Sequence, residues 1–467
     1  MIDYARINAL SKILNESLSE NSDLESIALA LGENPNNVIR DGAILRTNAQ
    51  DMSMYFARRG RLDDLIAATH DLYPHIDLTS AGGPAAEKKS YQPQKKTSQP
   101  ATEQPADSGK PAEAIQYENF DITIGLKRSD GTYPISASSP AGEAASILQE
   151  LPLDDEQFND VIYYLKELIA QTEDAEQFGE DLRRFLFPTP IQSLFDSSLA
   201  TVKAQGKNGL RIRLKFSLDT SPELSQIPWE YCASSRTYLA LNEETPVVRY
   251  IQTNVAPEAT SVPDKVRILV VLSNPLGDLN VHAEELKIRS ALAKVEKAGK
   301  VEIRVLDQAT RLNLFDTFTE FDPHIFHYVG HGALNDDGEG TLILATETGE
   351  PEAVNAKRLL VLLQSSDVKL AILNACETAA SDEGKAFMGV APRLVWAGIP
   401  AVLAMQFSIP DSMAIAFMRS FYKALADGQP LDTAMTIARK GAYFVNDEIY
   451  WAIPVLFMRS PDGRIWS

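Results

Sequence analysis

Apolar positions in the first 78 residues recur at three- and four-residue intervals: Ile7, Leu10, Ile13, Leu14 and Leu18, then Leu24, Ile27, Leu29 and Leu31. That spacing gathers them on one face of a helix. Ser22 is placed to cap the second helix and Gly32 to end it. Residues 51–59 and 61–73 predict two further helices, parted by Gly60. The alternation of β-branched residues that marks strands is absent, so residues 1–78 predict a small all-α bundle. The pattern then breaks. Glu87-Lys88-Lys89-Ser90-Tyr91-Gln92-Pro93-Gln94-Lys95-Lys96 and its surroundings hold almost no apolar residues. Such a stretch cannot bury enough surface to order itself, and residues 79–116 read as a flexible linker.

From residue 117 strand and helix patterns alternate. Residues 120–126 predict a strand, and 154–185 predict amphipathic helices carrying Phe158, Ile162, Leu165 and Ile169 on one side. Residues 210–216 set Leu, Ile, Leu and Phe against Arg, Arg and Lys, the pattern of a half-buried strand. Another strand is expected at 247–251. The rhythm is clearest after residue 260. Strands are expected at 266–273, 301–306, 325–330, 368–374 and 400–405, and helices at 282–298, 311–318 and 388–397. Continuous apolar strands alternating with helices imply a mostly parallel sheet covered on both faces. In such sheets ligands bind beyond the carboxyl ends of the strands.

Charge and cysteine content narrow the function. A net charge of −20 argues against nucleic acid or an anionic membrane as partner, because phosphate attraction needs clustered Lys and Arg. Cys232 and Cys376 are the two cysteines, too few for a disulfide framework, and a reducing compartment fits. The first residues, Met1-Ile2-Asp3-Tyr4-Ala5-Arg6, do not form a secretory signal, and the apolar stretch near 397–405 is too short to span a membrane. A cytoplasmic protein is expected. Ser273-Asn274-Pro275-Leu276-Gly277 is not a phosphate-binding loop, and neither His-Glu-x-x-His nor paired cysteines occur, so no cofactor or metal is expected.

Two reactive residues follow adjacent predicted strands. His331 comes directly after His327-Tyr328-Val329-Gly330, and Cys376 after Leu373-Asn374-Ala375. Both fall at the carboxyl edge. An imidazole there can generate the thiolate that a cysteine nucleophile needs. The backbone N–H groups of Gly332 and Cys376 are candidates for an oxyanion hole. His327 and His324 are read as structural, and Cys232 as packing.

The segments His327-Tyr328-Val329-Gly330-His331-Gly332 and Leu373-Asn374-Ala375-Cys376-Glu377-Thr378 resemble the signature of the CHAT family, caspase-like peptidases of the same clan as caspases, separase and gingipains. Ile227-Pro228-Trp229-Glu230-Tyr231 resembles that family's Pro-Trp-Glu motif. Ala397-Gly398-Ile399-Pro400-Ala401-Val402, Phe421-Tyr422-Lys423-Ala424-Leu425 and Trp451-Ala452-Ile453-Pro454 resemble its closing segments. The resemblance implies an α/β caspase-like sheet flanked by helices, with an inactive half at 117–260 and an active half at 261–467. It implies a peptide-bond hydrolase with His331 as base and Cys376 as nucleophile. Met405-Gln406-Phe407 stands where many members carry a Trp near the substrate pocket, which puts subsite preference in doubt.

Asp336, Asp337, Glu377, Asp382, Glu383, Gln406 and Asp411 are the candidate pocket residues. The acidity of the six carboxylates among them favours a protein substrate cut after Arg or Lys. The N-terminal bundle, through Gly60-Arg61-Leu62-Asp63-Asp64-Leu65-Ile66 and Tyr73-Pro74-His75, resembles an effector-associated, death-fold-like domain. That resemblance implies docking to an adaptor with a similar domain, possible self-association and a role in bacterial defence or programmed death. The alternative is a catalytically silent scaffold that keeps the fold for assembly.

Overall fold

A computed structural model describes residues 61–72 and isolated positions among the first 115 residues, and most of 116–465. Outside it lie 154, 167–169, 171, 218–219, 235–236, 253–262, 264, 278–284, several positions from there to 298, 365, 375–382, 408, 410 and 446–448. The chain divides into two compact units, Met1–Gly109 and Lys110–Ser467.

In the first unit the described positions are mainly helical. Leu10, Leu14, Leu24, Ile27, Met52 and Phe56 are fully buried, as the periodicity requires. Helix α1 (Leu62–Leu72) buries Leu65 and Ile66, and Arg61 donates to the Leu31 carbonyl at 3.0 Å.

The second unit opens with three strands, β1 (Tyr117–Ile124), β2 (Thr132–Ser139) and β3 (Gly142–Glu150), joined as antiparallel hairpins. Helices α2 (Glu156–Lys166), α3 (Thr172–Leu186) and α4 (Thr189–Ala204) follow, then β4 (Gly209–Lys215) and β5 (Val247–Tyr250). Next come β6 (Val266–Ser273), β7 (Val301–Leu306), α5 (Arg311–Phe321) and β8 (Ile325–Gly330). Strands β9 (Gly332–Leu334), β10 (Gly340–Ala345) and β11 (Pro351–Asn355) form a small antiparallel sheet of their own. The chain then runs through α6 (Ala356–Leu363), β12 (Leu370–Asn374), α7 (Glu383–Trp396), β13 (Ala401–Met405), α8 (Asp411–Ala426), α9 (Leu431–Val445) and β14 (Pro454–Met458).

Eleven strands make one sheet in the order β3-β2-β1-β4-β5-β14-β13-β12-β8-β6-β7. Pairing is parallel except at the two hairpins and at the β14–β13 seam. The mostly parallel sheet flanked by helices is the predicted α/β class. The predicted division near residue 260 falls inside this continuous sheet. Strands β8, β12, β13 and β14 are buried on both sides, whereas β7, at the edge, is only partly covered. In β8, Ile325 and Val329 join the core under α8 and α9, whereas Phe326 and Tyr328 join the core with α5, α6 and α7. The predominantly apolar residues of β8 and β12, with His327 and Asn374 the buried polar exceptions, serve this two-sided burial.

Strand β4 departs from expectation. It is buried on both faces rather than one, because its arginines are neutralised in place. Arg211 pairs with Asp432 of α9, and Arg213 binds Asp121 of β1 through two nitrogens, at 2.5 and 2.8 Å. Burial pushes the Asp121 carboxyl up, but Arg213 and Lys215 outweigh it and hold the group below its ordinary range. The helix at 388–397 begins earlier than its apolar pattern suggested, at Glu383, and Pro392 sits inside it.

Candidate active site

Strands β8 and β12 are parallel neighbours, with Val329 paired to Asn374. His331 lies two residues beyond Val329, and Cys376 lies two residues beyond Asn374. Neighbouring strands stand about 4.8 Å apart. The two predicted reactive residues therefore follow equivalent points on the same sheet edge. Cys376 itself is outside the described residues, as are Glu377 and Asp382.

His331 is 4% exposed, and its backbone is clamped. The Tyr328 hydroxyl reaches the carbonyls of His331 and Ile343, both at 2.8 Å. The Ile343 N–H donates to the same His331 carbonyl at 3.0 Å, and Ser273 Oγ donates to Ile343 at 2.8 Å. Gly330 makes this clamp possible. A Cβ there would sit 2.6 Å from both the Tyr328 hydroxyl oxygen and the Ser273 carbonyl. Tyr328 was not singled out in sequence; only its place in the motif could have pointed to it.

Gly332 begins β9 opposite Leu342. Because the Ile343 N–H goes to His331, Gly332 and Leu342 are a non-hydrogen-bonded pair, and the Gly332 N–H points away from β10. The N–H of this oxyanion-hole candidate is thus not consumed by the ladder. Helix α7, which follows residue 376 in sequence, packs on β9 and β10. At Gly340 the approach is so close that any Cβ would run into the Ala386 backbone. The described residues on either side of Cys376 in sequence, Asn374 and the start of α7, thereby adjoin elements that flank His331.

The pocket candidates separate. Asp336 and Asp337 are exposed in the β9–β10 turn, where Asn335 Oδ1 accepts from the N–H groups of Asp337 and Glu339. Glu383 opens α7 and Asp411 opens α8. Gln406 is buried rather than lining an open surface. Its Nε2 donates to the Ala452 carbonyl at 2.9 Å, and its Oε1 accepts from Arg249 at 3.3 Å.

That contact explains the Pro-Trp-Glu motif. Glu230 takes a bidentate pair from Arg249 of β5, at 3.1 and 2.8 Å, both side chains being 1% exposed. Arg249 also donates to the carbonyls of Ser225 and Ile227. Trp229 Nε1 donates to Leu224, and the Tyr231 hydroxyl donates to the Ile449 carbonyl at 2.6 Å. The motif joins the first half of the sheet to the carboxyl end of β13 and to residues 449–453.

The remaining reactive side chains fall where the sequence placed them. His327 is fully buried, with Nδ1 2.9 Å from the Tyr422 hydroxyl, and burial pushes its pKa down to about 3. His324 Nδ1 accepts from the Arg267 N–H at 2.9 Å. Cys232 is buried, and burial pushes its thiol up to about 12, which leaves it unreactive. Asn374 is buried with its Oδ1 unpartnered, two residues before Cys376.

Comparison with known proteins bears on the same segments. Among solved structures the chain is similar to separase in the Saccharomyces cerevisiae separase–securin complex. Identity is 11% and the TM-score 0.42, over 73% of this chain and 30% of that chain. A second structure of that complex gives 11% and 0.41. The complex of the pro- and mature domains of Porphyromonas gingivalis RgpB matches at 12% identity and a TM-score of 0.36, over 67% of this chain and 77% of that one. The chain thus spans under a third of the separase chain. No curated protein matches it in sequence. The CHAT domain family matches residues 188–458, a span that contains the Pro-Trp-Glu motif, His331, Cys376 and the closing strand. With more than half its length covered by that match, the chain belongs to the CHAT domain family.

Proposed function

We propose that the chain is a cysteine endopeptidase of the caspase-like kind, with His331 as base and Cys376 as nucleophile. The observation that carries this reading is the register of β8 and β12, which sets both residues two positions past a paired point at one sheet edge. In the proposed reaction the His331 imidazole takes the proton from Cys376 Sγ. The thiolate attacks the carbonyl carbon of the scissile peptide. The N–H groups of Gly332 and Cys376 hold the oxyanion. Collapse of the tetrahedral intermediate breaks the C–N bond, and the amine leaves with the proton from His331. Water, deprotonated by His331, then attacks the thioester, which releases the acid and restores the thiol.

The substrate is a protein, cut after Arg or Lys, with Asp336 and Asp337 the described acids nearest His331 in sequence. The N-terminal helical unit recruits the peptidase to an adaptor of similar fold in a bacterial defence or death pathway, and the long polar linker supports tethering of this kind.

The test is cleavage of a fluorogenic panel with Arg, Lys, Asp or Leu before the cut, compared with Cys376→Ala and run with and without forced dimerisation of the first unit. Cleavage of the Arg and Lys peptides that vanishes in Cys376→Ala is expected. Preference for Asp would overturn the specificity, and activity that survives in Cys376→Ala would overturn the nucleophile.

A further inference from the structure

A cavity of about 350 Å³ lies at the opposite end of the sheet from His331. Its floor is formed by the amino ends of three parallel strands, through Val266 and Ile268 of β6, Val301 of β7 and Ile325 of β8. Its walls come from the end of α8 and the turn after it, and from the stretch at residues 463–465. The lining is mainly apolar, and the volume is at the small end of the range for organic ligands. The charged side chains in it are Lys300 and Arg464, both cationic; among the described residues no carboxylate lines it. In a chain with 64 acidic and 44 basic residues this is a departure from the average surface. Lys300 Nζ donates to the Ala426 carbonyl at 2.9 Å, which leaves two of its three N–H groups for other acceptors.

We propose that this cavity binds a small apolar monocarboxylate, an alkyl or aryl acid of about ten carbons, with its carboxylate on Lys300 and its hydrocarbon against the strand ends. Charge complementarity and the apolar floor select this class over a sugar or a nucleotide, whose several polar groups would lose their hydrogen bonds against Val266, Ile268, Val301 and Ile325. The site has a route to the reactive edge. Tyr422 forms part of the cavity wall, and its hydroxyl is hydrogen-bonded to His327 Nδ1 at 2.9 Å. His327 sits on β8, four residues before His331. Occupancy that displaces Tyr422 alters the environment of the His327 ring. The binding claim stands apart from the peptidase reading, because it is read without catalysis.

The test uses decanoate and the full chain. Calorimetric titration should give one site per chain. Lys300→Glu should weaken decanoate at least tenfold and leave decanol unchanged. Ala426→Phe, which adds a ring to the cavity lining, should abolish binding of both. With ring-labelled histidine, decanoate should shift the His327 resonance in the wild type; in Tyr422→Phe binding should persist and the shift shrink. Absence of binding, or equal affinity for decanoate in wild type and Lys300→Glu, would overturn the site. Binding without any change at His327 would overturn the route to β8.

Discussion

A single hydroxyl decides how firmly His331 is held. The Tyr328 hydroxyl lies 2.8 Å from two carbonyls, one belonging to His331 itself, and its one proton is shared between them. Tyr328→Phe keeps the ring and removes the donor that these two carbonyls share. Stability should fall by about 1–3 kcal/mol, the cost of leaving buried acceptors short of a donor. In the proposed peptidase kcat should fall more than KM changes, because the defect lies in the placement of the base. Urea unfolding and peptide kinetics on one preparation check both; unchanged kcat with lowered stability would confine Tyr328 to packing. His327 gives a pH signature. Its folded pKa is near 3 against an ordinary 6.5, because burial disfavours the charged ring. The unfolded chain takes up a proton below about 6.5 and the folded chain does not, so this contribution is complete above 6.5. It is lost as pH falls toward 3, at about 1.4 kcal/mol per pH unit. His327→Gln should therefore be penalised most at neutral pH, with the gap from wild type closing on acidification. Parallel urea midpoints from pH 7.5 to 4.5 would remove His327 as the cause.

Among the elements, the fit of α7 against β9 and β10 matters most for the site. Gly340→Ala forces a Cβ onto the Ala386 backbone and should cost about 1–3 kcal/mol through overpacking. Gly389→Ala, whose Cβ would meet Gly340 at an ordinary 3.4 Å, should be close to neutral in melting temperature. If the two variants melt alike, the close approach is not what holds α7. Legibility also differed by element. The strands at 266–273 and 325–330 were readable to the residue because two-sided burial leaves mostly apolar runs, and the one at 301–306 because Val301, Ile303 and Val305 alternate with Glu302 and Arg304. The small sheet at 332–355 was not foreseen. Its strands are short, and Gly332, Gly340 and Pro351 open them with residues that ordinarily signal turns. The polar hairpins at 132–150 escaped for a related reason: β3 is largely exposed and alternates weakly. Arg211 and Arg213 made β4 look half-buried, since their partners lie 221 and 92 residues away and no local pattern announces them. At the site, His331 and its strand were legible from the motif. The burial of Gln406 was not, because it depends on Glu230 and Arg249 from the other half of the sheet.

The two compact units predict a clean dissection of the whole molecule. Residues 110–467 alone should fold cooperatively, with a melting temperature within a few degrees of the full chain, because the sheet and both of its cores lie within that span. Scanning calorimetry of the fragment checks this; a broad, non-cooperative transition would show that the first unit is needed. Cutting near residue 260 should instead yield insoluble halves, since the Arg249–Gln406 hydrogen bond, the Arg211–Asp432 pair and the β5–β14 ladder all cross that point.

Strand β14 is the last in chain order, yet it lies at the centre of the sheet, between β5 and β13. Arg439 ties its first residue in place by donating to the Pro454 carbonyl at 2.8 Å. During synthesis, therefore, the two halves of the sheet cannot be joined until residues 454–458 have emerged. At about 5–20 residues per second, the roughly 200 residues that separate β5 from β14 keep the seam open for about 10–40 seconds. Over that interval the edge of β5 is unpaired, and the edge of β13 is unpaired for its last roughly 50 residues, which exposes the nascent chain to mispairing. The same delay is a safeguard for a proposed peptidase: the edge that carries His331 and Cys376 reaches its final support only once nearly the whole of this sequence has been made.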